Sequence, residues 1–231
     1  MYVGGSLALD AFDRASDVDV VFATRTDVAN RFEALDGMHR ELAREAVWCA
    51  TELECIYMSL DGLRHFDRAY AAHLKLERGP GETLKLDTMD ESWVVHCHVL
   101  RTKGITWDGP DPAALIDEVS RSDLQAAMRG VLGGWANELL RHPDGLRGPG
   151  YQAYVVLSIC RILYTLEEGS VVSKNAAAEW AITKLPFEWH GLISGAVADR
   201  IQDRVCAPDS AVRQTVRLIE YAQDSSDRAG R

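Results

Sequence analysis

Gly4-Gly5-Ser6, followed by Ser16-Asp17-Val18-Asp19-Val20-Val21, is the stretch on which the fold turns. It reads as a glycine-serine turn, a short helix and then a strand that carries two carboxylates. Asp17 and Asp19 are two apart, so on a strand both side chains point to one face, about 6–7 Å from each other. A bare pair of carboxylates in that arrangement is costly because like charges repel. A divalent cation removes the cost, and Mg²⁺ favours one or two carboxylates completed by phosphate oxygens. The turn offers the other half of such a site. Glycines let the backbone approach a phosphate closely, and N–H groups opening a helix favour an anion. The stretch therefore reads as a site for a metal-bound nucleoside triphosphate, with Gly5 and Ser6 on the phosphates and Asp17 and Asp19 on Mg²⁺.

Working outward, a helix is expected over 7–12 and an apolar, β-branched strand over 18–24. Residues 27–48 follow with Val28, Phe32, Leu35, Met38, Leu42 and Val47 close to helical spacing. Asp27 is placed to cap that helix. The next strand, over 51–58, carries Glu52 and Glu54 on one face. A strand, a helix and a second strand beside the first give a mixed α/β core, in which a third carboxylate, Glu54 or Glu52, would face the aspartate pair. Residues 73–77 and 82–86 flank Gly79-Pro80-Gly81 and read as a hairpin. Residues 91–103 read as a helix ended by Gly104. His96 and His98 are two apart on it, so they point to different faces and form no metal clip. Arg68 and His73 match a spacing known from certain ribonucleases, which is common by chance.

The turn-rich run Trp107-Asp108-Gly109-Pro110-Asp111-Pro112 marks a boundary, dividing the chain into 1–108 and 109–231. The second part reads as about five helices, over 112–141, 151–168, 173–185, 186–205 and 211–223, with a polar, frayed tail over 224–231. The fold class is α+β: a mixed sheet with flanking helices, then a helical bundle.

The 231 residues carry a formal net charge of −10. That balance argues against a general nucleic-acid binder, which would show a basic stripe, and suits a cationic partner. No signal peptide or membrane-spanning apolar run is visible. The five cysteines are odd in number and include no Cys-x-x-Cys, which supports neither a disulfide framework nor a zinc site. A reduced cytoplasm is the expected compartment.

Ser6 and Asp17 are eleven residues apart. A Gly-Ser turn at that distance from an Asp-x-Asp resembles the signature of the nucleotidyltransferase superfamily. The second half sharpens the resemblance. Leu157-Ser-Ile-Cys-Arg161-Ile-Leu-Tyr164, Gly169, Ser173-Lys174-Asn175-Ala-Ala-Ala-Glu179-Trp180-Ala181 and Leu185-Pro186 look like the helical domain of the streptomycin/spectinomycin adenylyltransferases. The resemblance covers nearly the whole chain. It implies Mg-dependent transfer of AMP from ATP to a hydroxyl of a cationic aminocyclitol antibiotic, in a cleft between two domains of a monomer or weak homodimer. It also implies that the second carboxylate strand carries the base for the acceptor hydroxyl, a place that Glu54 matches better than Glu52.

Two aspartates bind the cationic drug on the corresponding helix face of that family. Here the positions hold Asn175 and Glu179, four apart and so on one face. One charge is lost, which disfavours streptomycin relative to spectinomycin-like acceptors. Ser173 reads as an N-cap, and Trp180 and Arg161 as packing and pairing residues. The family carries a helix before the first strand, so the frame is expected to begin late or to dispense with that helix. Two further readings stay open: a transferase that adenylylates a protein, and a nucleotide-binding protein without turnover.

Overall fold

The computed structural model describes residues 1–26, 28–45, 47, 49–148, 150–200 and 206–229. They form two compact units, Met1–Val119 and Ser120–Arg231. The units part eleven residues beyond the expected boundary at 108/109, because the turn-rich run belongs to the first unit. Tyr2 Oη donates to the Pro110 carbonyl at 2.9 Å, and Ile116 is 2% exposed within the first unit's core.

The first unit runs β1 (Tyr2–Val3), α1 (Gly5–Ala8), β2 (Val18–Thr24), α2 (Phe32–Leu42), β3 (Leu53–Ser59), α3 (Leu60–Arg64), β4 (Ala72–Leu76), β5 (Lys85–Thr88), α4 (Trp93–Lys103) and β6 (Ile105–Thr106). One mixed sheet has the order β5-β4-β3-β2-β1-β6. β2 and β3 are parallel, as their connection through α2 requires, and the other neighbours are antiparallel. One face buries Tyr2, Val21, Ile56 and Met58 against Trp93, Cys97 and Leu100 of α4. The opposite face buries Val20, Cys55, Tyr57, Leu74 and Leu76, with Val28, Phe32 and Leu35 packed over them.

The apolar stripe expected over 27–48 is narrower than its spacing suggested. Met38, Leu42 and Val47 are exposed, and α2 ends at Leu42. Its inner face is finished by polar groups instead. His39 Nε2 lies 2.9 Å from Tyr57 Oη, and Asp36 Oδ1 accepts from the Leu84 N–H at 3.0 Å. Asp27 and Trp48, the expected cap and end of that helix, lie outside the described residues. The helix expected over 7–12 is the shorter α1, which stops where Asp10 takes φ 53°.

The second unit consists of α5 (Arg121–Val131), α6 (Asn137–Arg141), α7 (Tyr151–Glu168), α8 (Lys174–Lys184), α9 (His190–Asp199) and α10 (Asp209–Ala229). Its centre is α7, which packs against α5, α8, α9 and α10. Val155, Val156, Leu157 and Ile159 are fully buried, each contributing about 1.5–3 kcal/mol on removal from water. Gly169 ends α7 at φ 64°, the left-handed cap that glycine adopts without steric cost.

The helix expected over 112–141 is broken. A 3₁₀ turn occupies Pro112–Ala114, a Ser120/Asp123 capping box opens α5, and a π-helical turn at Leu132–Ala136 separates α5 from α6. The tail expected to fray continues α10 to Ala229, with Ser226 buried. The helix expected over 186–205 divides into a 3₁₀ turn at Phe187–Trp189 and α9, and its far end lies outside the described residues. None of the described helices is long and apolar enough to cross a membrane.

Candidate active site

The first unit gathers the glycine-serine turn and the carboxylates at one end of the parallel strand pair. β1 runs beside β2, and the Gly4 N–H donates to the Asp19 carbonyl at 3.0 Å. This bond sets the Gly5 backbone directly on the Asp19 side chain. A Cβ on Gly5 would stand 1.5 Å from Asp19 Oδ2 and 2.4 Å from its Cγ. Gly5 also holds φ 54°, so glycine is required twice, by conformation and by space. The Ser6 hydroxyl is buried and has no hydrogen-bond partner among the described residues. A buried hydroxyl left unpaired costs about 1–3 kcal/mol, which an oxygen of a ligand would recover.

Asp17 lies just ahead of β2 rather than within it. The ladder begins immediately after it, where the Val18 N–H donates to the Glu52 carbonyl at 2.8 Å. The loop before Asp17 is fixed by its own polar groups. Asp13 Oδ1 accepts from the Ala15 N–H at 3.0 Å and from the Ser16 hydroxyl at 2.9 Å, and Ser16 is buried. Arg78 Nη1 donates to the Ala15 carbonyl at 3.0 Å and lies 3.8 Å from Glu52 Oε2. Glu52 thus faces an arginine at the strand's entrance.

Glu54 is the register partner of Asp19 across the parallel ladder, so the two side chains are lateral neighbours on one face of the sheet. Both are half-buried. Cys55, between Glu54 and Ile56, belongs to the opposite face. Burial, then the Glu54 and Asp19 carboxylates, push its thiol up to about 12, so it packs as a neutral apolar group.

Lys75 was not anticipated from the sequence. Its Nζ lies 2.9 Å from Glu54 Oε1 and 3.4 Å from Glu77 Oε1, and Lys85 Nζ lies 2.9 Å from Glu77 Oε2. The signal was present in β4, where His73, Lys75 and Glu77 alternate with the buried Leu74 and Leu76. That alternation puts Lys75 on the face opposite the leucines, but the strand against which it lies cannot be read from one strand.

The residues fit a divalent cation completed by phosphate oxygens. Among the described residues no group of three or more His, Cys, Asp or Glu side chains is placed to hold a metal ion. An all-protein cage is therefore not what the geometry offers, whereas two aspartates leaving positions for phosphate oxygens is the arrangement Mg²⁺ favours.

In the second unit Ser173 caps α8, its hydroxyl accepting from the Ala176 N–H at 3.2 Å. Asn175 stands in the first turn, with its Oδ1 buried and without a partner among the described residues. Glu179, one turn on, is exposed. The Trp180 indole N–H donates to Glu168 Oε1 at 3.2 Å and its ring meets Tyr164 edge-on at 5.5 Å. Lys174 Nζ lies 3.9 Å from the centre of the Tyr154 ring.

Residues 114–225 match the family model of the aminoglycoside adenylyltransferase C-terminal domain. The chain is 33% identical over 88 residues to a spectinomycin 9-adenylyltransferase of Staphylococcus aureus, covering 38% of this chain and 30% of that protein. It is 31% identical over 123 residues to an aminoglycoside (3'') (9) adenylyltransferase of Rhizobium radiobacter, covering 52% and 43%. Against a spectinomycin 9-adenylyltransferase of Campylobacter jejuni it is 20% identical over 235 residues, covering 96% and 85%. The first of these matches spans about a third of its relative's length and the second under half. The crystal structure of spectinomycin adenyltransferase AAD(9) from Enterococcus faecialis with ATP and spectinomycin shares the fold, with a TM-score of 0.71 at 15% identity over 96% of this chain and 90% of that one. The chain is accordingly an α+β protein whose second half is similar to the aminoglycoside adenylyltransferase C-terminal domain.

Proposed function

We propose that the protein transfers AMP from ATP to a hydroxyl of an aminocyclitol antibiotic and so confers resistance, with spectinomycin-like acceptors favoured over streptomycin. The observation that carries this reading is the pairing of Glu54 with Asp19 in register, with Gly5 seated on the Asp19 carboxylate. In this reading it brings a candidate base, a candidate metal-binding carboxylate and a candidate phosphate-binding turn to one end of two parallel strands. The names of the relatives and the ligands of the AAD(9) crystal structure support the same substrates.

In this reading Asp17 and Asp19 hold Mg²⁺, which when bound neutralises charge on the phosphate oxygens. The N–H groups of Gly5 and Ser6, which open a helix and have no partner within it, cradle the triphosphate together with the Ser6 hydroxyl. Glu54 accepts the proton of the acceptor hydroxyl. The freed oxygen attacks the α-phosphorus, the bond to the β-phosphate oxygen breaks, and pyrophosphate leaves. Base catalysis supplies roughly 10²–10⁴-fold, and alignment of the reactants supplies a further share. Glu52 is the weaker candidate for the base, because it lies at the strand's entrance facing Arg78. Glu179 offers the carboxylate for a cationic acceptor, and Asn175 offers an amide oxygen without charge.

Turnover with α-labelled ATP and Mg²⁺, measured against spectinomycin, streptomycin and a proteome extract, tests the proposal. Labelled spectinomycin is the expected product. Label appearing only on protein would move the reading to a protein adenylyltransferase, and ATP binding without label transfer would move it to a nucleotide-binding protein.

A further inference from the structure

Glu54 lies between unlike neighbours. Asp19, its register partner on β2, carries a like charge. On the β4 side stands Lys75, 2.9 Å from Glu54 Oε1. Like charges directly opposite on neighbouring strands are destabilising, and a carboxylate with that neighbour would rotate away unless something holds it. We propose that Lys75 is the positioning residue of the transfer reaction: its ammonium fixes one oxygen of Glu54, leaving the other to accept the proton of the acceptor hydroxyl. This rests on Glu54 as the base.

Three observations separate that role from a plain hairpin ion pair. Glu77 is also within reach of Lys75, but at 3.4 Å, and it has its own cation in Lys85 at 2.9 Å. The shorter contact of Lys75 is therefore the one to Glu54, which has no second cation within ion-pair distance among the described residues. The side chains of Lys75 and Glu54 are 21% and 24% exposed, so the pair is shielded more than a surface pair and less prone to wander. Burial alone would lower the lysine, yet the Glu54 and Glu77 carboxylates more than offset it and raise it above its ordinary value. The ammonium is thus kept charged across the range in which an enzyme works. A hydrogen-bonded cation on one oxygen also restricts the rotation of a planar carboxylate, which is what a base aimed at one hydroxyl needs.

The test compares Lys75→Met, Lys75→Arg, Glu77→Gln, Glu54→Gln and the double variant Glu54→Gln/Lys75→Met in steady-state AMP transfer to spectinomycin. Calorimetry measures the affinity for ATP and for spectinomycin. Lys75→Met is expected to lower kcat by about 10–100-fold, the range that partners of a site residue typically carry, while KM and both affinities stay within about twofold. Lys75→Arg should restore a part of kcat, and Glu77→Gln should change it by less than about threefold. In the Glu54→Gln background Lys75→Met should have no further effect, because residues that act as a unit are not additive. Should Lys75→Met fail to fold, Lys75→Gln takes its place. Unchanged kcat in Lys75→Met beside an impaired Glu54→Gln would overturn this proposal alone. So would a raised KM for ATP at unchanged kcat, which would make Lys75 a phosphate contact, or an equal loss in the Glu54→Gln background. Wild-type kcat in Glu54→Gln would instead overturn the assignment of the base.

Discussion

Gly5→Ala is the substitution that the geometry makes most severe for its size. The new methyl would lie 1.5 Å from Asp19 Oδ2, 2.4 Å from Cγ and 3.1 Å from Cβ. No contact of that kind persists, so either the Asp19 carboxylate leaves its rotamer or the turn moves. The backbone adds its own cost. Gly5 sits at φ 54°, where a single L-residue loses about 1–2 kcal/mol. Displacement of Asp19 or of the turn brings the total to about 2–4 kcal/mol, in the range of other steric replacements in packed sites. Urea denaturation should show that loss, and AMP transfer should fall by about 10²-fold or more, the order lost when one electrostatic group leaves an active site. The steric part can be isolated. In an Asp19→Ala background Oδ2 and Cγ are gone, and Gly5→Ala should cost only the backbone part of about 1–2 kcal/mol. The coupling between the two substitutions would then be about 1 kcal/mol or more, as expected of residues in contact. An identical cost of Gly5→Ala in both backgrounds, or a Gly5→Ala enzyme with activity within about threefold of wild type, would refute the reasoning.

Asp17→Asn and Asp19→Asn should each abolish Mg²⁺-dependent AMP transfer while the unfolding free energy from urea denaturation changes by less than about 0.5 kcal/mol, as for polar changes outside the core; near-wild-type turnover in either would contradict the metal assignment. Asn175→Asp should shift the ratio of kcat/KM toward streptomycin, whose guanidinium groups want a matched carboxylate. The added charge would lie in the first turn of α8, where the helix end favours an anion, so the variant should fold; a ratio that does not move would remove Asn175 from acceptor recognition. Burial lowers the folded-state pKa of His39 against the opposing pull of Asp36, and burial lowers His73 and His98 likewise. The unfolded chain therefore binds more protons below about pH 6.5, so stability is full above that value and declines as pH falls toward the folded-state pKa values, by at most about 1.4 kcal/mol per pH unit for each histidine. His39→Phe should flatten its share of that slope in urea titrations at pH 7, 6 and 5, and an unchanged slope would count against a buried neutral imidazole.

The strand at 18–24, the hairpin of β4 and β5, α4 with its Gly104 end, and α7 with its Gly169 cap were legible because each is bounded by a local signal. Alternation, a glycine or a helical period places them without reference to the rest of the chain. The misread elements are those in which tertiary partners outweigh the period. α2 carries apolar residues at helical spacing along its whole length, but Met38 and Leu42 stay exposed, because Asp36 and His39 take the inner positions opposite Leu84 and Tyr57. The 112–141 segment reads as one helix by composition. Pro112 is instead buried in a 3₁₀ turn and Ile116 is taken into the first unit's core, so the helix starts at the Ser120/Asp123 box. The polar tail looked too hydrophilic to stay ordered, yet Ala222 and Ser226, four apart on α10, share a face that is buried.

The candidate site divides along the same line, and the division says what kind of information one sequence holds about chemistry. Asp17, Asp19, Gly5 and Ser6 lie within one short run, so a sequence alone can propose them together. Glu54 was placed only as one of two acids on a strand, because a sequence does not print the register between strands. Once Asp19 is set opposite Glu54, Glu52 falls to the entrance beside Arg78 and the two acids acquire different surroundings. Lys75 depends on two registers, β2 with β3 and β3 with β4, which is why no pattern within β4 reveals it. Three ion pairs link Lys85, Glu77, Lys75 and Glu54 into a chain whose charges alternate in sign. The alternation breaks at Asp19, where a carboxylate follows a carboxylate. That break is where a bound cation would offset the like charges, and it falls on the aspartate against which Gly5 is pressed.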